Sequence, residues 1–357
     1  MSDSNSPESL RDTLGYFFKL GWTGFGGPLS VISQIQEECV KKRKWISLGE
    51  FQRALPVLKS LPGPVAYQTV LYVAQKRVGS FWALVSAVLF VVPAFFMMIL
   101  LATGSEWLKS IETFHSFFLG AQAAALILIF SALKDLTRPY WMNRRFWLYG
   151  IFAFFLLVFV AIPEPMALLL CGGVSVMGRR LTSTRFRGVS LELFWICFQA
   201  GALAFGTGLT IVPLLQDQFG RWVSEAVFLE AVALGQLTPG PVVISVTYLG
   251  FKVAGWTGAL VATLGIFLPA TIHILSWFSR VMNWLNSWSW FPDFILGAMA
   301  CLGVGIGLSL FHLSKGLLPS QFMVLGLVLV ALFLFKRSGA YWIFIGGILH
   351  VLLTLVF

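Results

Sequence analysis

Long apolar runs separated by short polar segments make up most of the sequence. Most of these runs approach the roughly 20 apolar residues that an α-helix needs to cross the hydrocarbon core of a bilayer. Five lie in each half of the chain, at residues 12–38, 80–103, 112–134, 146–162, 164–178, 190–216, 255–279, 293–314, 319–335 and 339–357. The pattern predicts an all-α polytopic membrane protein with about ten transmembrane helices.

The same short motifs occur twice, in the same order and at a nearly constant spacing. Residues 21–26 (GWTGFG) recur as residues 201–206 (GALAFG), and the Pro-Gly-Pro at 62–64 recurs at 239–241. Such self-similarity indicates an internal duplication. The predicted organisation is a polar N-terminal tail, a first repeat, a basic cytoplasmic linker and a second repeat, at residues 1–11, 12–178, 179–189 and 190–357 respectively.

An odd number of crossings in each half would place the second repeat upside down relative to the first. With this inverted arrangement, most of the 25 Lys and Arg residues fall on one side of the membrane. Basic loops are typical of the cytoplasmic side of membrane proteins. We therefore expect an inverted repeat whose basic loops are cytoplasmic and whose N-terminus lies outside.

Each half contains two segments that should interrupt a helix. A Gly-rich segment lies at 25–28 and again at 205–208, and a Pro-Gly-Pro lies at 62–64 and again at 239–241. Proline lacks the backbone N–H and restricts the residue before it, so it ends or kinks a helix. Residues 65–76 would then form a helix of about 18 Å, roughly half the hydrocarbon thickness. The pattern predicts broken, re-entrant helical hairpins whose tips reach the bilayer midplane.

Backbone interruptions at the midplane must be buried in protein or line a polar cavity. The N-terminus of a half-helix offers N–H groups to an anion, and paired broken helices in inverted halves are typical of a secondary transporter's substrate site. Single Gly and Pro breaks also occur as packing features of membrane helices. The predicted substrate-binding residues are Gly26, Gly27, Lys59, Ser60, Pro62, Gly63, Pro64, Gln68, Gly206, Thr207, Gly208, Gln236, Thr238, Pro239, Gly240 and Pro241.

Several charged residues near the breaks are candidates for gating or coupling. Arg53 aligns with Glu230 in the repeat, and the two could pair across the pseudo-twofold axis. Glu37 aligns with Asp217, and a carboxylate at a pathway mouth could carry protons. Lys19 is a further candidate, and Lys59 could offset the charge of a bound anion. The alternative for each is an interfacial charge or a lysine that extends to the headgroups.

Composition excludes most other classes of protein. The chain is 58% apolar and 11% charged, whereas a soluble domain carries about 25% charged residues. A soluble enzyme, a disordered scaffold and a secreted disulfide module are therefore excluded. The net charge of +10 fits basic loops better than nucleic-acid binding. The four Cys and four His residues are scattered, so no metal or other cofactor is expected.

Taken in order, the motifs resemble the chromate ion transporter family in its long, two-domain form. The residues that carry this resemblance are Phe25-Gly26-Gly27-Pro28, Trp45, Leu61-Pro62-Gly63-Pro64, Phe205-Gly206-Thr207-Gly208, Trp222 and Thr238-Pro239-Gly240-Pro241. The resemblance implies a bacterial or archaeal inner-membrane protein that exports chromate and confers chromate resistance. The driving force would be the proton motive force or exchange against another anion.

One residue departs from the family pattern and leaves the identity of the substrate open. Family members often carry Gln where Lys59 stands, and a lysine there suits any divalent oxyanion. The alternatives are a transporter of sulfate or another oxyanion, an intramembrane enzyme, and a structural or sensory membrane protein. A Ser/His or metal constellation is not evident in the sequence, so we expect a non-enzyme. The expected partners are the oxyanion, a proton or counter-anion and the lipid bilayer; a homodimer is left open.

Overall fold

The computed structural model describes residues 7–61, 63–159, 188–204, 211–277, 291–315, 317–334 and 339–356. Within these ranges, every regular element is helical. The predicted run 164–178 and most of the predicted linker at 179–189 lie outside the described residues.

The helices follow the repeat. The first half contains α1 (Pro7–Thr23), α2 (Gly27–Ile35), α3 (Leu48–Ser60), α4 (Val65–Lys109), α5 (Glu112–Thr137) and α6 (Arg144–Val158). The second half contains α7 (Val189–Leu203), α8 (Ile211–Phe219), α9 (Glu225–Leu237), α10 (Ser245–Ile272), α11 (Phe291–Ser314), α12 (Pro319–Leu334) and α13 (Gly339–Val356). Short π-helical or 3-10 turns lie at Gln36–Lys42, Arg138–Tyr140, Val242–Ile244 and His273–Trp277.

Several of these helices are suited to a bilayer. In the part of the chain that the structure describes, four are long and apolar enough to cross one: Val65–Lys109, Glu112–Tyr140, Val242–Ser276 and Leu296–Ser314. Shorter apolar helices lie at Val189–Leu203, Pro319–Ala331 and Tyr341–Leu355. Large apolar side chains such as Phe81, Phe96 and Leu100 are exposed, as a surface in contact with lipid requires. An all-helical membrane fold is confirmed, while the number of about ten crossings stays a prediction.

Residues 12–38 were expected to cross the membrane once, and this prediction is wrong. Gly26 and Gly27 both have positive φ, 96° and 79°, and the chain turns back between α1 and α2. Arg43 then forms an ion pair with Asp12, so both ends of the segment lie on the same side. The N-terminal segment and the basic stretch 41–44 are therefore neighbours, and cannot lie on opposite sides as predicted.

The second repeat forms the same hairpin from α7 and α8. Arg221 pairs with Glu192 at 2.6 Å, as Arg43 pairs with Asp12. Each arginine also lies over the tryptophan that follows it, 4.2 Å from the Trp222 ring centre for Arg221 and 5.2 Å from that of Trp45 for Arg43. Apolar periodicity could not reveal the reversal, because two short helices joined by glycines are as apolar as one long helix.

A second hairpin joins α3 to the first part of α4. Gly79 has φ 82° and ψ 170° and divides α4 into a half-helix, 65–78, and a longer helix, 80–109. At the base of this hairpin, Lys76 pairs with Glu50 at 2.8 Å. Residues 65–74 are all buried, so this half-helix lies inside the protein. The half-helix predicted at 65–76 is thus two residues longer than expected.

The corresponding hairpin of the second repeat joins α9 to the first part of α10. Ala254 and Gly255 have non-helical backbone angles and divide α10 as Gly79 divides α4. Residues 242–250 are all buried. α4 packs against α10, α1 packs against α4, and α7 packs against α10. The half-helix of α4 contacts the later part of α10 through Tyr67 and Thr271, and that of α10 contacts the later part of α4 through Lys252 and Glu106.

The hairpin formed by α1 and α2 generates a prediction about topology. In a variant without native cysteines, we expect Arg11→Cys and Lys41→Cys to react with a membrane-impermeant maleimide from the same side of sealed vesicles. Residues 80–109 form a helix about 45 Å long, so Ser110→Cys should react from the opposite side. Reaction of Arg11→Cys and Lys41→Cys from opposite sides would instead support the single crossing.

Candidate functional site

Two backbone hydrogen bonds join the Pro-Gly-Pro tip of each half to the first hairpin of the other half. The N–H of Gly63 donates to the carbonyl of Ala204 at 2.6 Å, and the N–H of Gly240 donates to the carbonyl of Gly24 at 3.0 Å. Gly63 and Gly240 are equivalent in the repeat, as are Gly24 and Ala204. Each Pro-Gly-Pro tip is therefore bonded to the first break of the other half, and the two bonds form a reciprocal pair of the kind that twofold symmetry produces.

Each tip glycine also rests on a long helix of the opposite half. A Cβ added to Gly63 would lie 2.8 Å from the Ala270 methyl carbon on α10, and one added to Gly240 would lie 3.4 Å from that of Ala94 on α4. Both glycines have positive φ, 129° and 98°, a conformation that disfavours any residue with a side chain. Glycine is required at both tips by backbone geometry, and at Gly63 also by space.

Two helix N-termini open at these tips. The half-helix of α4 follows Pro64, and the 3-10 turn before α10 follows Pro241. A proline side chain has no acceptor with which to cap the N–H groups of the first turn. Such N–H groups have no partner within their helix and carry a partial positive charge. The arrangement can therefore bind an anion through backbone N–H groups.

Polar side chains are buried around the same tips. Gln68, Gln236 and Thr238 are all buried. Thr238 donates to the carbonyl of Gly235 at 3.2 Å and contacts the Met98 sulfur at 3.8 Å. A polar group inside an apolar protein is costly unless it is hydrogen-bonded. These amides and hydroxyls offer neutral donors beside the two N-termini.

About half of the predicted substrate-binding residues lie at one or the other of the two Pro-Gly-Pro tips. Gly63, Pro64, Gln68, Gln236, Thr238, Pro239, Gly240 and Pro241 are buried at the two Pro-Gly-Pro tips. Gly26 and Gly27 form the partly buried turn of the first hairpin, next to the Gly24 carbonyl that accepts from Gly240. Pro62, Gly206, Thr207 and Gly208 lie outside the described residues, as do the side chains of Ser60 and Asp217.

The predicted cations do not lie within the buried tips. Lys59 is exposed on the last turn of α3, and Lys19 and Arg53 are also exposed. Glu37 is exposed and pairs with Lys41 at 2.8 Å. This hydrogen bond and the positive charge of Lys41 hold the pKa of Glu37 below its ordinary value.

Lys19 and Glu37 line a shared groove between α1 and the π-helical turn. The groove has a volume of about 650 Å³, and its other charged residues include Asp12, Lys42 and Arg43. Acidic and basic side chains both line it, so it is polar without a strong excess of either sign. It lies beside the base of the first hairpin, where Arg43 pairs with Asp12.

Among the predicted charged residues whose side chains the structure describes, Glu230 is the buried one. Its carboxylate lies 2.5 Å from the Lys109 ammonium and accepts a hydrogen bond from the Tyr248 hydroxyl at 2.6 Å. Its partners in the structure are therefore on α4 and α10, while Arg53 is exposed on α3.

Sequence reasoning missed the residues that support the tips. The carbonyls of Gly24 and Ala204 and the methyl groups of Ala94 and Ala270 contact tip residues, yet no side-chain chemistry marks them. The one available signal was the repeat, because each pair occupies equivalent positions in the two halves. Lys109 gave no such signal.

Comparison with known proteins identifies similar sequences. Residues 12–177 and 191–351 match the protein-family model described as chromate transporter. The chain is 31% identical to the probable chromate transport protein of Synechococcus elongatus, over 73% of this chain and 74% of that protein. It is also 31% identical to the chromate transport protein of Cupriavidus metallidurans, over 73% of this chain and 72% of that protein.

A relative in Pseudomonas aeruginosa, also named chromate transport protein, is 26% identical over 77% of this chain and 74% of its own length. An archaeal relative, in Methanocaldococcus jannaschii, is named only as an uncharacterized transporter; it is 25% identical and covers 77% of each chain. No solved structure matches.

The tip geometry generates a prediction about stability. We expect Gly63→Ala and Gly240→Ala each to destabilise the protein by about 1–3 kcal/mol, because both glycines have positive φ. Gly63→Ala should be the more severe, since its Cβ would also collide with the side chains of Gln68 and Ala270. The measurement is the melting temperature in detergent.

A matched control for these variants is Gly104→Ala. Gly104 lies within α4, and a Cβ there would have open space, so we expect an unchanged or slightly higher melting temperature. Equal melting temperatures for all three variants and the native protein would contradict the proposed constraint at the tips.

Proposed function

The chain belongs to the chromate transporter family, and from this premise we propose that it exports chromate through a site formed by its hairpin tips. Chromate is a tetrahedral divalent oxyanion. The single observation that carries the proposal is the reciprocal contact of the tips, Gly63 to Ala204 and Gly240 to Gly24. Each of these contacts brings a helix N-terminus of one half, with buried polar side chains beside it, against the first break of the other half.

The proposed site binds the anion mainly through neutral donors. Backbone N–H groups after Pro64 and Pro241 face the oxyanion, and Gln68, Gln236 and Thr238 supply further hydrogen bonds. The glycines of the first breaks, including those at 26, 27, 206 and 208, allow the backbone to approach closely. Helix N-termini are common phosphate and sulfate sites for the same physical reason. Lys59 acts at the approach to the site, where its charge attracts the dianion.

We further propose that the two repeats are inverted in the membrane. Hairpins of one half meet hairpins of the other tip to tip, so their bases point in opposite directions. Residues 80–109 run from the base near Lys76 to the base near Glu230, a length of about 45 Å that suits a full crossing. Rocking of one inverted half against the other would provide alternating access.

The cytoplasmic side is proposed from the basic residues. Arg43 and Arg77 lie over the Trp45 ring at the base of the first-half hairpins, and Lys41, Lys42 and Lys76 are their neighbours in the sequence. The positive-inside rule places this cluster in the cytoplasm of a bacterial or archaeal inner membrane. The ion pair of Arg43 with Asp12 then puts the N-terminal segment on the same side.

Chromate export is favoured by the membrane potential. Moving one charge across the membrane is worth about 2.3 kcal/mol per 100 mV, and chromate carries two negative charges out of an inside-negative cell. Export could therefore run on the potential alone or with coupling to protons or a counter-anion. Export of this kind would give chromate resistance. The matched relatives are named as transport proteins, so we propose no catalytic activity.

A second candidate substrate is sulfate or a similar oxyanion. The observation that favours it is the neutral, backbone-rich character of the buried tips, which recognise shape and charge. Sulfate shares both with chromate, so the site geometry alone gives little discrimination between them.

The test of the proposed function is chromate uptake into inverted membrane vesicles that contain the protein. We expect energised uptake that an uncoupler abolishes and that excess sulfate barely reduces. Vesicles from cells without the protein are the control. Suppression by sulfate would favour the second candidate, and absence of uptake under any imposed gradient would refute chromate transport.

The role of Lys59 generates a separate prediction. We expect Lys59→Ala to raise the KM for chromate about twofold to fivefold with little change in maximal rate, because an exposed charge contributes about 1 kcal/mol or less. Lys59→Arg should retain the native KM. Lys315→Ala, which removes another exposed lysine, is the matched control. Equal KM values for Lys59→Ala and Lys315→Ala would show that Lys59 does not act at the approach to the site.

A further inference from the structure

Glu230 lies in a cluster of charged and polar groups outside the hairpin tips. Its side chain is 0% exposed, although it carries a carboxylate. Lys109, at the end of α4, lies 2.5 Å from one carboxylate oxygen. The Tyr248 hydroxyl on α10 donates to the other oxygen at 2.6 Å. Glu230 on α9 is thus bonded both to α10 of its own half and to α4 of the first half.

This cluster extends from the buried carboxylate to the protein surface. Lys252 pairs with Glu106 at 3.0 Å, and Lys109 lies 3.8 Å from the same carboxylate. The Glu106 side chain is 73% exposed, so the charges form a chain from the protein surface to Glu230. Water that followed this path would reach α9, two turns from the Pro-Gly-Pro tip.

An equivalent cluster lies at the opposite end of the hairpins. Tyr72 and Lys76 occupy the repeat positions of Tyr248 and Lys252. The Tyr72 hydroxyl donates to Glu50 on α3 at 3.4 Å, and Lys76 pairs with Glu50 at 2.8 Å. In each cluster, the tyrosine and lysine precede the glycine turn of their half-helix and the carboxylate comes from the preceding helix.

The two clusters share a cation–π contact and differ in the burial of their carboxylates. The lysine ammonium lies 5.8 Å from the ring centre of Tyr72 in one cluster and 5.7 Å from that of Tyr248 in the other. The Glu50 side chain, however, is 34% exposed, whereas that of Glu230 is fully buried. The position equivalent to Lys109 falls among residues 278–290, outside the described part of the chain.

A buried ion pair is a poor source of stability, because desolvation offsets most of the attraction between its charges. The same pair can separate readily when water reaches both partners. An ion pair that joins the two halves is therefore well suited to a contact that forms and breaks as the halves move. Its burial closes the space around it, and its separation admits water.

We propose that Glu230, Lys109 and Tyr248 form the gate at one end of the transport pathway, with Glu50, Tyr72 and Lys76 forming the equivalent gate at the other end. The structure represents the state in which the Glu230 gate is closed and the Glu50 end is the more exposed. This assignment rests on the proposed transport function. It gives Lys109 and Tyr248 a role in transport that their positions in the sequence do not suggest.

The test measures the accessibility of a cysteine behind the gate. Ala233, which is buried on α9 one turn nearer the tip than Glu230, is changed to cysteine in a chain that lacks Cys39, Cys171, Cys197 and Cys301. A membrane-impermeant thiol reagent is added on the side where Lys109 lies. We expect slow labelling with the native gate and labelling at least tenfold faster in Glu230→Gln or Lys109→Met.

Three further variants separate gating from misfolding. The exchange of charges in Glu230→Lys with Lys109→Glu should restore slow labelling. Glu50→Gln, at the other gate, and Glu112→Gln, at an exposed glutamate near Lys109 in the sequence, should leave the rate within twofold of its native value. Unchanged labelling in Glu230→Gln and Lys109→Met would overturn the proposal, as would equally fast labelling in Glu50→Gln and Glu112→Gln.

Chromate flux measured on the same variants keeps this proposal distinct from the proposed function. If the labelling rate depends on Glu230 but the protein shows no chromate flux, the gate is supported and chromate is refuted as the substrate. Normal chromate flux with accessibility that is independent of Glu230 would refute the gate and leave the function standing.

Discussion

The fold depends on satisfying the backbone groups of four broken helices inside an apolar protein. A buried N–H or carbonyl without a partner is costly, and lipid offers none. The bonds from Gly63 to Ala204 and from Gly240 to Gly24 meet this need by joining each half to the other. Neither half could satisfy these groups by itself in the same way, so the two repeats form one structural unit.

Charged residues mark the bases of the hairpins, while the tips contain backbone and neutral side chains. Arg43 and Arg221 fasten the first hairpin of each half, and Glu50 and Glu230 lie at the bases of the second. Full charges are most stable near water, whereas helix N-termini can offer partial charge at depth. This separation leaves full charges away from the tips, which suits the oxyanion site that we propose there.

The sequence predicted the breaks well and the direction of the chain poorly. Pro-Gly-Pro at 62–64 and 239–241 acts on the neighbouring backbone, so its effect could be derived from local rules. The reversal after Gly26 could not be derived, because an apolar run of this length is compatible both with a single crossing and with a hairpin that returns to the same side. The partner of Glu230 could not be derived either, because alignment of the repeats favoured Arg53 and gave no reason to consider Lys109.

The sequence by itself determined the class of protein, the duplication and the places where helices must break. Composition, periodicity and the conformational limits of proline and glycine act over a few residues and need no partner. Only the tertiary structure decided which tips meet, which ends of the hairpins are neighbours and which lysine pairs with Glu230. Those contacts join residues that are often far apart in the chain, and their free energy depends on burial and on the groups that face them across helices.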